Sequence, residues 1–248
     1  PVYSVVDVYD IIEYLEEDEK NRENVDRIKK YLEINGANTV AEVFINGIYI
    51  GSHENGYAMF RFEITDFLKD EDNVIRIIVD NSQNEFLYPE MADFTFYGGL
   101  YRDVNIICEV ADSHFALLDK SRCGIFITPR VDGKVFIKSF VEGSTEGLEK
   151  HFAIADAEGK VVASGYTAAD AESTYLTVDD VNLWNGMENP YLYNLTAKLV
   201  KDGEVVDEVS DRFGFRAYNI DSETGFNLNG KNIKLKGVSR HQDRAVVG

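Results

Sequence analysis

Two stretches of the 248-residue chain carry side chains suited to handling a ligand. The first is the segment from Asn81 to Tyr97, where Phe86, Tyr88, Phe94, Phe96 and Tyr97 are interleaved with Glu90 and Asp93. Aromatic faces stack on the apolar face of a sugar ring, and carboxylates accept hydrogen bonds from its hydroxyls. The same aromatics could equally cover a sandwich or a neighbouring domain. The second stretch is the tail, where Arg240 and His241 follow an apolar run from Ile233 to Val238. His53, His114 and His151 sit in no recognisable motif. With 44 acidic residues, no carboxylate pair stands out as an acid and base. Cys108 and Cys123 are the only cysteines, without a C-x-x-C pair, so zinc and a disulfide framework lack support, and one bridge between the two stays open.

The elements that must position these groups read as strands. Aromatic and β-branched residues are frequent, with 15 Phe and 14 Tyr, and hydrophobic residues make up 44% of the chain. Pro1 to Tyr9 alternate as a strand does, and Glu13 to Glu19 form a short helix or a charged loop. Ile28 to Ile34, Thr39 to Ile45, Ile48 to Ile50, Met59 to Ile64, Val74 to Val79 and Val104 to Cys108 follow as strands. Asn35-Gly36 and Asn46-Gly47 mark turns; apolar residues flanking Asn-Gly signal a hairpin, because both turn positions need positive φ. No long helical period competes, so an antiparallel sandwich extends to about Val110.

A second series comprises Gly124 to Thr128, Lys134 to Val141, Phe152 to Ala155, Val161 to Ala163, Thr174 to Val178, Leu192 to Val200 and Glu204 to Phe213. Seven short strands with turns at Asp132-Gly133 and Asp202-Gly203 suit an immunoglobulin-like sandwich, without the Cys…Trp…Cys spacing of antibody domains. Gly225 to Gly230 form a hairpin, and Ile233 to Val238 are expected to be one buried strand.

Net charge is −19, a field that repels phosphate backbones and anionic lipids, so neither nucleic acid nor membrane is an expected partner. No apolar run approaches the length of a membrane span and no signal peptide is visible, which makes cytoplasmic localisation the expectation. Asn194-Leu195-Thr196 fits a glycosylation sequon but falls inside an expected strand, where it is accidental.

Four stretches resemble one family, glycoside hydrolase family 2, in its order and spacing. Gly98-Gly99-Leu100-Tyr101-Arg102-Asp103-Val104 resembles the signature that closes the family's sugar-binding domain. Leu183-Trp184, with Glu188-Asn189-Pro190-Tyr191-Leu192-Tyr193, is similar to a motif of its immunoglobulin-like domain, although Asn185-Gly186-Met187 stand where the family more often has a Pro. Arg212-Phe213-Gly214-Phe215-Arg216 resembles the exit strand. Leu228-Asn229-Gly230-Lys231 and Gly237-Val238-Ser239-Arg240-His241-Gln242-Asp243 are similar to the opening of the catalytic barrel.

The resemblance implies an all-β fold: a jelly-roll, galactose-binding-like sandwich over 1–110, an immunoglobulin-like sandwich over 111–217, and over 218–248 a short remnant of a TIM barrel. It implies a parent enzyme that hydrolyses terminal β-galactosides with retention, on two glutamates of that barrel; β-glucuronides and β-mannosides are the alternative substrates. A (β/α)₈ barrel takes about 250 residues, and 31 follow Ala217, so no catalytic residue is expected within this chain. The resemblance places Asp93 at the sugar and at a cation such as sodium or magnesium in the full-length enzyme, with no cofactor in the chain itself. Arg240 and His241 would line the substrate pocket. Gly99, Arg102, Asp103, Trp184, Pro190, Gly214 and Arg216 would be structural. Strand alternation puts Arg102 and Asp103 on opposite faces, so separate partners are expected. The expected partners are the chain's own catalytic barrel, a carbohydrate, and a second copy through surface a barrel would cover. The competing functions are a free-standing carbohydrate-binding module and a purely structural pair of sandwiches.

Overall fold

The computed structural model describes residues 2–8, 28–70, 72–87, 96–109, 111–118 and 123–239. The fold is all-β, with two compact units, one built on the strands up to Glu109 and the other on Ala111–Val238. The expected acidic helix or loop at Glu13 to Glu19 lies outside the described residues.

The first unit contains β1 (Val2–Val8), β2 (Lys29–Ile34), β3 (Ala37–Asn38), β4 (Val40–Ile45), β5 (Ile48–Glu54), β6 (Phe60–Glu63), β7 (Asn73–Asp80), β8 (Gly99–Leu100) and β9 (Val104–Glu109). One antiparallel sheet runs β1-β7-β4-β5, another β6-β2-β9, and β3 pairs with β8. Alternation decides which face is inside. Ala41, Val43 and Ile45 of β4 and Ile75, Ile77 and Val79 of β7 are buried, and they share one core with Leu32, Ile34 and Phe60 of the other sheet. Asn46 and Gly47 take φ of 52° and 84°, the conformation a type I′ hairpin requires, and join β4 to β5. Asn35-Gly36 behaves differently. β2 pairs with β6 and β9, whereas β4 pairs with β5 and β7, so this turn crosses between sheets and makes no hairpin. The reason is a partner distant in sequence: a Cβ on Gly36 would stand 2.9 Å from the Tyr101 ring, so glycine is needed for close approach.

The second unit contains β10 (His114–Phe115), β11 (Ile125–Pro129), β12 (Lys134–Ser139), β13 (Val141–Glu142), β14 (Leu148–Ala155), β15 (Val161–Ala168), β16 (Ser173–Thr177), β17 (Tyr193–Lys201) and β18 (Glu204–Phe213). The sheets β11-β12-β16 and β15-β14-β17-β18 enclose a core that includes Ile125, Val135, Ile137, Phe152, Ile154, Leu195, Leu199, Phe213 and Phe215. β14 begins four residues before the expected Phe152 because Lys150 occupies an inward position. Its Nζ donates to the Ser139 carbonyl at 3.1 Å and to that of Ala171, which lets a 1%-exposed lysine stay in the core. Burial lowers its pKa from the ordinary lysine value, against the raising effect of Asp170 and Glu172. Among the described residues no disulfide joins Cys108 to Cys123.

A third small sheet, β19-β20-β21, follows as Tyr218–Asp221, Gly225–Leu228 and Lys231–Asn232. Beyond it the expected buried strand from Ile233 to Val238 is absent. These residues join no sheet, and Leu235 and Val238 are 70% and 93% exposed. A buried strand needs hydrogen-bonding neighbours on both edges; the Ile233 amide donates to the Phe226 carbonyl of β20 at 2.9 Å, but no described strand pairs with the residues that follow.

A short ion pair lies in the first unit. Arg61 donates from Nε at 2.8 Å and from Nη2 at 2.6 Å to Glu33 Oε2, with side-chain exposures of 6% and 13%. Asn105 and Asn35 donate to the other oxygen at 3.1 and 3.2 Å. Burial pushes the Glu33 carboxyl up, but the Arg61 and Asn105 bonds and the Arg61 charge outweigh it and hold the pKa below the usual 4.5. A folded-state pKa below the unfolded one adds stability at higher pH, lost as pH falls through the folded value. Glu33→Gln should therefore cost about 1–3 kcal/mol at neutral pH. In urea titrations the gap from the parent should close below the ordinary carboxylate range; a gap constant with pH would contradict this.

Candidate functional site

The segment bearing the aromatic and acidic residues departs from the end of β7 and returns at β8, and asparagine amides fasten both ends. Asn81 Nδ2 donates to the Phe96 carbonyl at 2.8 Å, and the buried Asn38 donates from Nδ2 to the Tyr97 carbonyl at 2.8 Å. These two carbonyls lie just before a short strand that pairs only at Ala37–Leu100 and Asn38–Gly99, so the sheet ladder leaves them without donors. The fastening demands glycine beside it. A Cβ on Gly98 would lie 2.7 Å from Asn81 Cγ, one on Gly56 would lie 2.1 Å from Asn38 Oδ1, and Gly99 has φ of +96°.

Tyr101 and Arg102 extend the clasp. The Tyr101 hydroxyl donates to the Gly56 carbonyl, and Arg102 Nη1 reaches the carbonyls of Asn35 at 3.2 Å and Tyr57 at 3.0 Å. The Arg102 guanidinium also lies 5.1 Å from the Tyr101 ring centre. Asp103 acts through its backbone: its carbonyl accepts from Asn35 N at 3.0 Å and Nδ2 at 3.3 Å. Arg102 and Asp103 thus bind two turns to the closing strand, and contrary to the expectation of separate partners they share one, Asn35, because Asp103 engages it through its backbone carbonyl and not its side chain. At the loop's start the Ser82 amide donates to Asp80 Oδ1 at 2.8 Å, and that bond holds the Asp80 carboxyl below its usual range.

The second unit carries a comparable clasp. Leu183 bridges Phe215, the Trp184 amide donates to the Phe215 carbonyl at 2.9 Å, and the Arg216 guanidinium lies 5.0 Å from the Trp184 ring centre. A Cβ on Gly214 would lie 2.8 Å from Trp184 Cβ, so glycine is required there too. Pro190 is exposed, and beside it Asn189 accepts from Asn185 N at 2.7 Å and donates to Leu183 O at 3.1 Å. Asn229 ties the small third sheet to this knot. Its Nδ2 donates to Trp184 O at 3.0 Å and Asn185 Oδ1 at 2.7 Å, while N and Oδ1 pair with the Ala217 backbone at 2.8 Å each.

Asp93, Arg240 and His241 lie outside the described residues. Among the described residues no three His, Cys, Asp or Glu side chains come close enough to hold a metal ion. Sequence reasoning overlooked Asn38 and Asn81; the signal available to it was an asparagine at each strand end beside the loop.

Two family models match the chain: Glycosyl hydrolases family 2 over residues 125–216, and Glycosyl hydrolase 2 galactose-binding domain-like over residues 13–94. The chain belongs to glycosyl hydrolase family 2. A β-glucuronidase of Bacteroides fragilis is 36% identical, with 88% of this chain and 33% of that protein aligned. A β-galactosidase of Thermoanaerobacter pseudethanolicus is 31% identical, over 89% of this chain and 30% of that protein. Among solved structures, an FMN-binding β-glucuronidase from Facaelibacterium prausnitzii L2-6 is 39% identical with a TM-score of 0.79, covering 87% of this chain and 34% of its own. A β-glucuronidase from Bacteroides uniformis superposes with a TM-score of 0.82 at 27% identity, over 99% of this chain and 30% of its own. The chain therefore spans about a third of the relatives it matches. No helix among the described residues is long and apolar enough to cross a membrane.

Two predictions follow from these clasps. Asn229→Ala removes three side-chain hydrogen bonds and should lower unfolding stability by about 2–4 kcal/mol in chemical denaturation. Asn81→Ala should speed hydrogen exchange of the amides at 82–87 roughly tenfold while leaving those of β17 unchanged.

Proposed function

We propose that this chain is the non-catalytic N-terminal part of a retaining exo-β-glycosidase that removes terminal β-linked galactose. The observation that carries this reading is the ordered pair of family matches, over residues 13–94 and 125–216, in a chain that spans about a third of its glycosidase relatives. In a retaining enzyme two carboxyl groups about 5–5.5 Å apart act as nucleophile and acid/base; both are assigned to the part of the relatives that this chain does not span. The sandwiches would support that catalytic part. Asp93 would reach its pocket from the loop fastened by Asn38 and Asn81, holding a sugar hydroxyl or a bound cation, and Arg240 and His241 would line the same pocket.

The galactoside assignment rests on the tail Ser239–Asp243, whose sequence resembles the galactosidases. A second reading, β-glucuronide, is favoured by the relatives named β-glucuronidase at 36% and 39% identity. The test uses nitrophenyl β-galactoside and β-glucuronide with this chain and with the longer product of its gene. The chain alone should give no turnover, and the longer protein should cleave the galactoside. Cleavage of the glucuronide alone would transfer the assignment to the second reading; turnover by the chain itself would refute the non-catalytic role.

A further inference from the structure

The outer face of the β1-β7-β4-β5 sheet carries an open groove of about 810 Å³ that none of the clasps uses. Its floor is Val40 and Glu42 of β4 with Ile78 and Asp80 of β7, cross-strand partners in the register Val40–Asp80 and Glu42–Ile78. Its wall is the turn from Ser82 to Phe86. That turn is set by the Asp80–Ser82 bond already described and by Asn84, whose Oδ1 accepts from the Phe86 amide at 2.9 Å. The result presents Phe86 with 84% of its surface in solvent.

An exposed phenylalanine alone is unremarkable; its surroundings give it meaning. Among the described residues the side chains of Glu42, Gln83 and Glu85 take no hydrogen bond or ion pair, and the Asn84 amide nitrogen donates to nothing. The groove thus sets one apolar ring beside unengaged acceptors and donors, the combination a pyranose needs, since it has a C–H face and a rim of hydroxyls. Three carboxylates line it and no Lys or Arg does. A cation on the same face, Arg76, is paired across strands with Phe44 and lies 4.4 Å from that ring's centre. An anionic ligand would meet only repulsion, and these carboxylates do not form a metal-binding group. Farther along the face, Phe44 packs edge-on against the half-exposed Tyr49, so the apolar and aromatic track continues beyond Glu42.

We propose that this groove binds an uncharged oligosaccharide, with one pyranose stacked on Phe86 and its hydroxyls held by Glu42, Glu85 and the Gln83 and Asn84 amides. The proposal does not rest on the reading of the catalytic pocket above. It would hold a polymeric or branched neutral glycan near the enzyme that acts on it.

Calorimetric titration of this chain with cellotetraose, xylotetraose, mannotetraose and galactotetraose tests the assignment, with methyl β-D-glucuronide as the anionic control. At least one tetrasaccharide should bind with a millimolar or tighter constant, and the glucuronide should not. Phe86→Ala should weaken that binding at least tenfold and Glu42→Gln several-fold, with thermal midpoints unchanged because both side chains are exposed. Silence from all four sugars, binding that survives both substitutions, or equal affinity for the glucuronide would overturn it. Because the titration reads binding by this chain alone and the nitrophenyl glycoside assay reads turnover by the longer protein, loss of the groove and loss of the glycosidase reading are separately visible.

Discussion

Where a strand ends, its last carbonyls and amides lose their ladder partners and must find others or be solvated. In this chain asparagine side chains meet that need at several strand ends among the described residues. Asn38 and Asn81 close the two ends of the long loop, Asn46 and Asn73 knit the β4–β5 turn to the strand beside it, and Asn229 ties the third sheet to the Trp184 knot. An asparagine amide offers donor and acceptor on one short stem, so it can imitate a piece of backbone in both directions. Each such bond nets only about 1 kcal/mol. Their value here is geometric: they fix loops whose own sequences have little propensity to hold a shape.

The strands were legible because period-2 alternation is strong wherever one face is buried. β7, β12, β17 and β18 fall where alternating apolar residues place them, and the I′ turn at Asn46-Gly47 follows from its dipeptide. What escaped were features decided by distant partners. Lys150 reads as a surface residue until the carbonyls of Ser139 and Ala171 are brought to it. Asn35-Gly36 reads as a hairpin until Tyr101 occupies the space above Gly36. The apolar run at Ile233 to Val238 reads as a core strand, but hydrophobicity cannot by itself supply an adjacent edge. At the candidate site the motif glycines could be read and the asparagines opposite them could not, because the constraint becomes visible only when both are in contact.

The relatives also separate what this scaffold decides from what it does not. Proteins named for two different sugars share these sandwiches with the present chain at 36% and 31% identity. Sugar choice therefore does not follow from the sheets, whose buried faces are under the same packing demands in either case. Loops and outer faces are where substitutions can alter chemistry without disturbing a core.

The segment after β21 has a consequence for handling the protein. After Ile233, whose amide donates to the Phe226 carbonyl, Lys234-Leu235-Lys236 belongs to no sheet among the described residues and sets an apolar side chain between two cationic ones. Extended chain with open amides is a template onto which another molecule's edge can polymerise, and lysines at every second position are the familiar restraint on that growth. The net charge of −19 adds a second restraint, because two copies repel each other as whole molecules. Low ionic strength should therefore keep the protein dispersed, whereas salt that screens the repulsion should favour turbidity.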